Sequence, residues 1–118
     1  MEKSYFWMKL RTDFYRSKEL DYLEKQPRGR EIELLYLKLL CESIPGEGVL
    51  FAGDDIPLTP KTIAAFTRMP VSVVKAGLPL LQTLGMLEKR SEYEFYLPEA
   101  AACLGEKAPM TNAERQAR

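Results

Sequence analysis

Between Thr59 and Arg90 the chain carries Lys61, Arg68, Lys75, Lys89 and Arg90 against one acid, Glu88, which is five minus one, a local net charge of +4. The whole chain has 17 Lys plus Arg and 17 Asp plus Glu, so the residues outside that window hold 12 bases (17 − 5) and 16 acids (17 − 1). A zero net charge argues against a strongly basic nucleic-acid binder, but this asymmetry puts a basic face on a neutral protein. Lys and Arg in such positions neutralise phosphates. Ser72 and Gln82 add hydrogen-bonding groups, with Gln82 late for contact, and Tyr93 stands beside the last two cations. The candidate DNA-contacting set is therefore Lys61, Arg68, Ser72, Lys75, Lys89, Arg90 and Tyr93. The competing account of the same charges is an ordinary solvated surface.

Other chemistries find less support. The chain has no histidine, which removes the commonest general acid/base, the usual triads and most zinc sites. Gly46-Glu47-Gly48 lacks the Gly-x-x-x-x-Gly-Lys pattern of a phosphate loop, and Asp54-Asp55 reads as a solvated loop before a metal site. No catalytic residue, metal or cofactor is expected, and the protein is read as a non-enzyme. Cys41 and Cys103 recur in no motif, so a disulfide framework is not expected and a reducing, cytoplasmic setting is. Tyr5, Phe6, Trp7, Phe14 and Tyr15 have the faces to stack on single-stranded bases, although packing is the more usual fate of such side chains.

The elements that must position the basic residues follow from punctuation and periodicity. A chain of 118 residues, 46% hydrophobic and 29% charged, has the size and composition of one globular domain. The longest apolar stretch, Leu34 to Cys41, is interrupted by Lys38, so no membrane span is expected, and no signal-peptide pattern follows Met1. Tyr5–Leu10 is aromatic-rich and reads as a strand. Ser17 caps a helix that Pro27 stops. Arg30–Ile44 is the strongest helix, with Ile32, Leu35, Tyr36, Leu39 and Leu40 on one stripe and Leu34, Leu37 and Cys41 widening it, so burial on more than one side is expected. Val49–Phe51 is a short strand. Thr59-Pro60 starts a helix in the preferred form, a hydroxyl cap with proline at the first helical position. Thr67–Pro70 is a turn and Val71–Leu84 a second helix, closed by Gly85. Met86–Arg90 and Tyr93–Leu97 read as a hairpin, and Ala100–Leu104 as one helical turn. Residues 1–104 are thus the domain, and 105–118 a flexible polar tail or the start of a linker.

Two short helices across a tight turn, with a lone strand before and a hairpin after, make a winged helix-turn-helix: mainly α with a small antiparallel sheet and an N-terminal strand and helix extension. In this arrangement the second helix enters the major groove. Gly77 and Pro79 sit inside that helix, and an interior proline removes a hydrogen bond to the carbonyl of Lys75, so a kink, or a split near Gly77, is expected.

Tyr5-Phe6-Trp7-Met8-Lys9-Leu10, Asp13-Phe14-Tyr15 and Ser17-Lys18-Glu19-Leu20 resemble the opening of phage replisome organiser proteins. So do Tyr36-Leu37-Lys38-Leu39-Leu40, Leu81–Glu88 and Tyr96-Leu97-Pro98-Glu99, and the tail Thr111–Arg118 looks like the start of that family's basic linker. The resemblance implies an N-terminal winged-helix domain similar to the DnaD-type primosome component. It further implies contact with duplex phage-origin DNA in replication initiation, and helicase or helicase-loader contacts in a C-terminal region beyond this chain. A homodimer through the N-terminal part is also expected: the long helix has surplus apolar surface, and Tyr5–Leu10 offers an open edge. The alternatives are an oligomerisation or protein-docking module without DNA contact, and a monomer whose N-terminal segments fold back over the long helix.

Overall fold

The computed structural model describes residues 7–105; Tyr5, Phe6 and the tail from residue 106 lie outside them. Ser17 accepts the Leu20 amide at 3.2 Å and starts α1 (Lys18–Glu24), which buries Leu20 and Leu23. The chain then reverses through Arg28, in the left-handed region at φ 59°, into α2 (Gly29–Ser43). Gly29 is obligatory by proximity: a Cβ there would lie 1.8 Å from the Leu23 carbonyl oxygen.

The stripe expected on α2 is buried throughout, with Ile32, Leu35, Leu39 and Leu40 at zero exposure. This helix is the hub of the domain and packs against α1 and the elements that follow, β1 (Val49–Phe51), α3 (Pro60–Thr67) and α4 (Val71–Thr83). Because α1 lies against α2 within the same chain, it covers one of the flanks that the sequence offered to a second copy; Leu34 stays exposed.

The sheet completes the core. β2 (Glu88–Lys89) and β3 (Glu94–Tyr96) form the hairpin, and β1 pairs with β3 in the antiparallel order β1-β3-β2. The register sets Val49 opposite Tyr96 and Leu50 opposite Phe95. Alternation along the strands turns Leu50 and Phe95 into the core. α5 (Ala100–Cys103) follows, burying Ala100 and Cys103. The result is the mainly α, winged-helix-like arrangement expected from the element order.

Two expectations are corrected. Within Tyr5–Leu10, the described residues form no sheet strand: they make a single antiparallel bridge, Met8 with Leu104, and the Lys9 amide donates to the Cys103 carbonyl at 2.7 Å. The partner, Leu104, is an extended residue immediately past the end of α5, and the pairing goes no further than this one bridge among the described residues. Second, α4 is one continuous helix through Gly77 and Pro79 rather than two pieces. Pro79 and Lys75 lie on its exposed side, so the carbonyl that loses its partner faces water. Gly77 lies on the buried side, where a Cβ would come within 3.1 Å of Ile32 and Leu35; glycine here lets α4 approach α2 closely.

Candidate nucleic-acid interface

Each helix of the helix-turn-helix is set by local chemistry. Thr59 accepts the Thr62 amide at 3.2 Å and Pro60 occupies the first turn of α3. Arg68, at φ 57°, ends α3 and opens the turn. Lys38 reaches from α2 to donate to the Thr67 carbonyl at 2.8 Å, putting a cation on the C-terminal end of α3. Ile63 and Ala64 face the core, which leaves Lys61 and Ala65 outward, with Arg68 continuing the same side. On α4 the buried side is Val73, Val74, Gly77, Leu78 and Leu81. Its outward stripe is Ser72, Lys75, Ala76, Pro79, Gln82 and Thr83.

The structure exposes every candidate residue but does not leave all of them equally free. No acid occurs from Ile56 through Leu87, so both helices lie in a purely cationic stretch. Lys61, Arg68, Lys75 and Lys89 have no carboxylate within ion-pair distance among the described residues. Arg90 differs. Its guanidinium lies 3.3 Å from Glu88 and 3.6 Å from Glu94, and stacks 4.1 Å over the Tyr96 ring. Two carboxylates and an aromatic face already satisfy it, so it is a hairpin cross-brace before it is a phosphate ligand. Tyr93 is 37% exposed at the hairpin turn, its amide bonded to Ser91. The Leu58 amide donates to the Glu92 carbonyl at 2.7 Å, tying that turn to the residues leading into α3.

Sequence reasoning missed Arg28. It donates to Ser72 at 2.6 Å, and its other edge grips Glu31 at 2.9 and 3.1 Å. The Arg28 hydrogen bond holds the Glu31 carboxyl below its ordinary range. Nothing in the sequence announces a contact between residues 44 apart.

Away from this surface, a groove of about 600 Å³ runs between the N-terminal segment and α5, lined by Leu10, Phe14, Tyr36, Met86 and Glu99 among others. Burial, then the nearby Glu99, keeps the Tyr36 phenol protonated well above its usual range.

Residues 7–118 match the family described as the N-terminal phage replisome organiser. No curated protein and no solved structure matches the chain. A match over nearly the whole length, joined to a fold in which the helix-turn-helix and hairpin stand in the expected order, settles the family: the chain belongs to the N-terminal phage replisome organisers.

Proposed function

We propose that this domain binds duplex DNA during phage replication initiation, with α4 toward the major groove and Lys61, Arg68, Lys75 and Lys89 on phosphates. The observation that carries the reading is the acid-free run from Ile56 through Leu87, which gives both helices of the pair unpaired cations on their outward sides. Ser72 and Tyr93 supply hydrogen bonds at the start of α4 and at the hairpin turn, and Arg90 acts mainly by bracing the hairpin. On this reading the domain is non-catalytic and its DNA is the phage origin.

A titration against duplex DNA at two salt concentrations tests this. Four phosphate contacts give a slope of log K on log salt near about −3.6, a loss of roughly 100-fold in affinity between about 50 and 200 mM. Lys75→Ala lowers affinity for any sequence and reduces the slope by about 0.9. A salt-independent affinity, or no binding, rejects the reading.

A second reading, homodimerisation or protein docking through the N-terminal part, is favoured by Trp7, Leu10 and Tyr15, which are 58%, 43% and 50% exposed, Leu10 lining the groove. Light scattering at micromolar concentration tests it. A mass of one chain, unchanged on tenfold concentration, rules out the dimer.

A further inference from the structure

Three hydroxyls on α2, α3 and α4 are engaged in different ways. Thr67 donates to the Ile63 carbonyl at 2.6 Å and Ser43 to the Leu40 carbonyl at 2.8 Å, so their hydrogens are consumed within their own helices. Ser72 sits in the first turn of α4, where no preceding turn offers a carbonyl. Its oxygen instead accepts from Arg28. A serine hydroxyl has one hydrogen and two lone pairs, so accepting from a cation leaves the hydrogen unspent and directs it away from the guanidinium. No other Ser72 bond occurs among the described residues, and the side chain lies on the outward stripe beside Lys75 and Ala76.

The guanidinium is itself held. Glu31 takes two of its donors, a bidentate pair that fixes the plane, and Arg28 lies in a left-handed backbone turn against the immovable Gly29. We propose that the Glu31–Arg28 pair is a positioning device that makes the Ser72 hydroxyl a dedicated hydrogen-bond donor to an acceptor on bound duplex DNA, at the leading end of α4. This rests on the DNA-binding reading above. Arg28 acts through Ser72 and not as a fifth phosphate ligand.

A double-mutant cycle on duplex binding tests it, using R28A/E31Q, which deletes the pair without changing net charge, S72A, and the triple variant. Melting curves check folding, and S72A alone keeps the test decisive if R28A/E31Q is unstable. Each perturbation weakens binding about tenfold, the low end for a hydrogen bond to a charged acceptor. The triple variant is no weaker than either parent variant, because both remove one interaction. The salt slope stays at the parental value in all three, whereas K75A lowers it. Unchanged affinity in S72A, multiplied losses in the triple variant, or a slope reduced by about 0.9 in R28A/E31Q overturns the proposal while K75A still reports DNA binding. If neither K75A nor any other variant changes affinity, or the parent does not bind, the DNA reading fails and takes this inference with it.

Discussion

Gly29→Ala tests the packing logic of the N-terminal half most directly. A Cβ at this position would stand 1.8 Å from the Leu23 carbonyl oxygen, 2.8 Å from the Leu23 carbonyl carbon and 3.0 Å from the Glu24 Cα. All three are backbone atoms, so no rotamer relieves the overlap. Restoring even a 3.0 Å contact requires α1 and α2 to separate by at least about 1.2 Å, and dense interiors do not absorb such shifts smoothly. The separation uncovers Leu20 and Leu23, which are 1% and 0% exposed, each contributing about 1.5–3 kcal/mol when fully buried. Part of that is lost, together with an overpacking cost of about 1–3 kcal/mol. The opposing term is the better helix propensity of alanine, about 1 kcal/mol. The net is a destabilisation of roughly 2–4 kcal/mol, a large share of the ~5–15 kcal/mol a domain of this size possesses. Urea unfolding reads it as a midpoint lower by about 1–2 M at unchanged slope. A midpoint equal to or above the parent's refutes the argument, since propensity would then have won over contact.

Three further outcomes follow from named contacts. Pro79→Ala restores an amide to the carbonyl of exposed Lys75 within a continuous helix, and raises stability by about 1–2 kcal/mol after allowing for the looser unfolded chain; a lower Tm would contradict it. Lys38→Met keeps the apolar stem but deletes the 2.8 Å bond to the Thr67 carbonyl, costing about 1–2 kcal/mol and roughly 4–8 °C in Tm, and an unchanged melt would show that this carbonyl is content with water. Glu33, between Glu24 and Arg30, has its carboxyl pushed up to about 7 by burial and then by the Glu24 carboxyl, so the fold favours its neutral form. Its folded value lies above the ordinary 4.5, so the fold's preference is fully present below about 4.5 and is lost as pH rises through about 7. Glu33→Gln should therefore gain on the parent between pH 5 and 8, by roughly 1 kcal/mol after screening at a partly exposed site, and a pH-independent difference would refute the raised carboxyl.

What was legible in the sequence is what short-range chemistry decides. Thr59-Pro60 marks the start of α3 because a hydroxyl cap and a proline satisfy the first turn without help from the rest of the fold. Gly85, at φ 75°, closes α4 for an equally local reason. Errors arose where a distant group decides. The cost of Pro79 depends on which face of α4 meets water, and the use of Gly77 depends on Ile32 and Leu35. A charge window ending at Arg90 counted a free cation, yet the hairpin folds Glu94 back onto it. The strand expected before Leu10 met one extended residue past α5, Leu104, instead of a sheet edge. Arg28 and Ser72 have no local signature at all.

These long-range contacts also redistribute the electrostatics of the proposed interface. The hairpin from Glu88 to Glu94 carries Glu88, Glu92 and Glu94 against Lys89 and Arg90, so it is not a cationic wing. With Arg90 internally neutralised and the Glu92 carbonyl bonded to Leu58, its contribution is to hold the approach to α3. Attraction for phosphate is left to the acid-free helices and to Lys89, the hairpin cation with no carboxylate within ion-pair distance among the described residues. The outward stripe of α4 then offers Ser72, Lys75, Gln82 and Thr83 as its polar groups, the last two at the far end of the helix, spaced by Ala76 and Pro79, which read no base edge through hydrogen bonds. On the proposed reading, such a surface derives most of its affinity from the backbone and little discrimination from direct readout. That makes one correctly oriented hydroxyl at the start of α4 worth more to recognition than another cation on the hairpin.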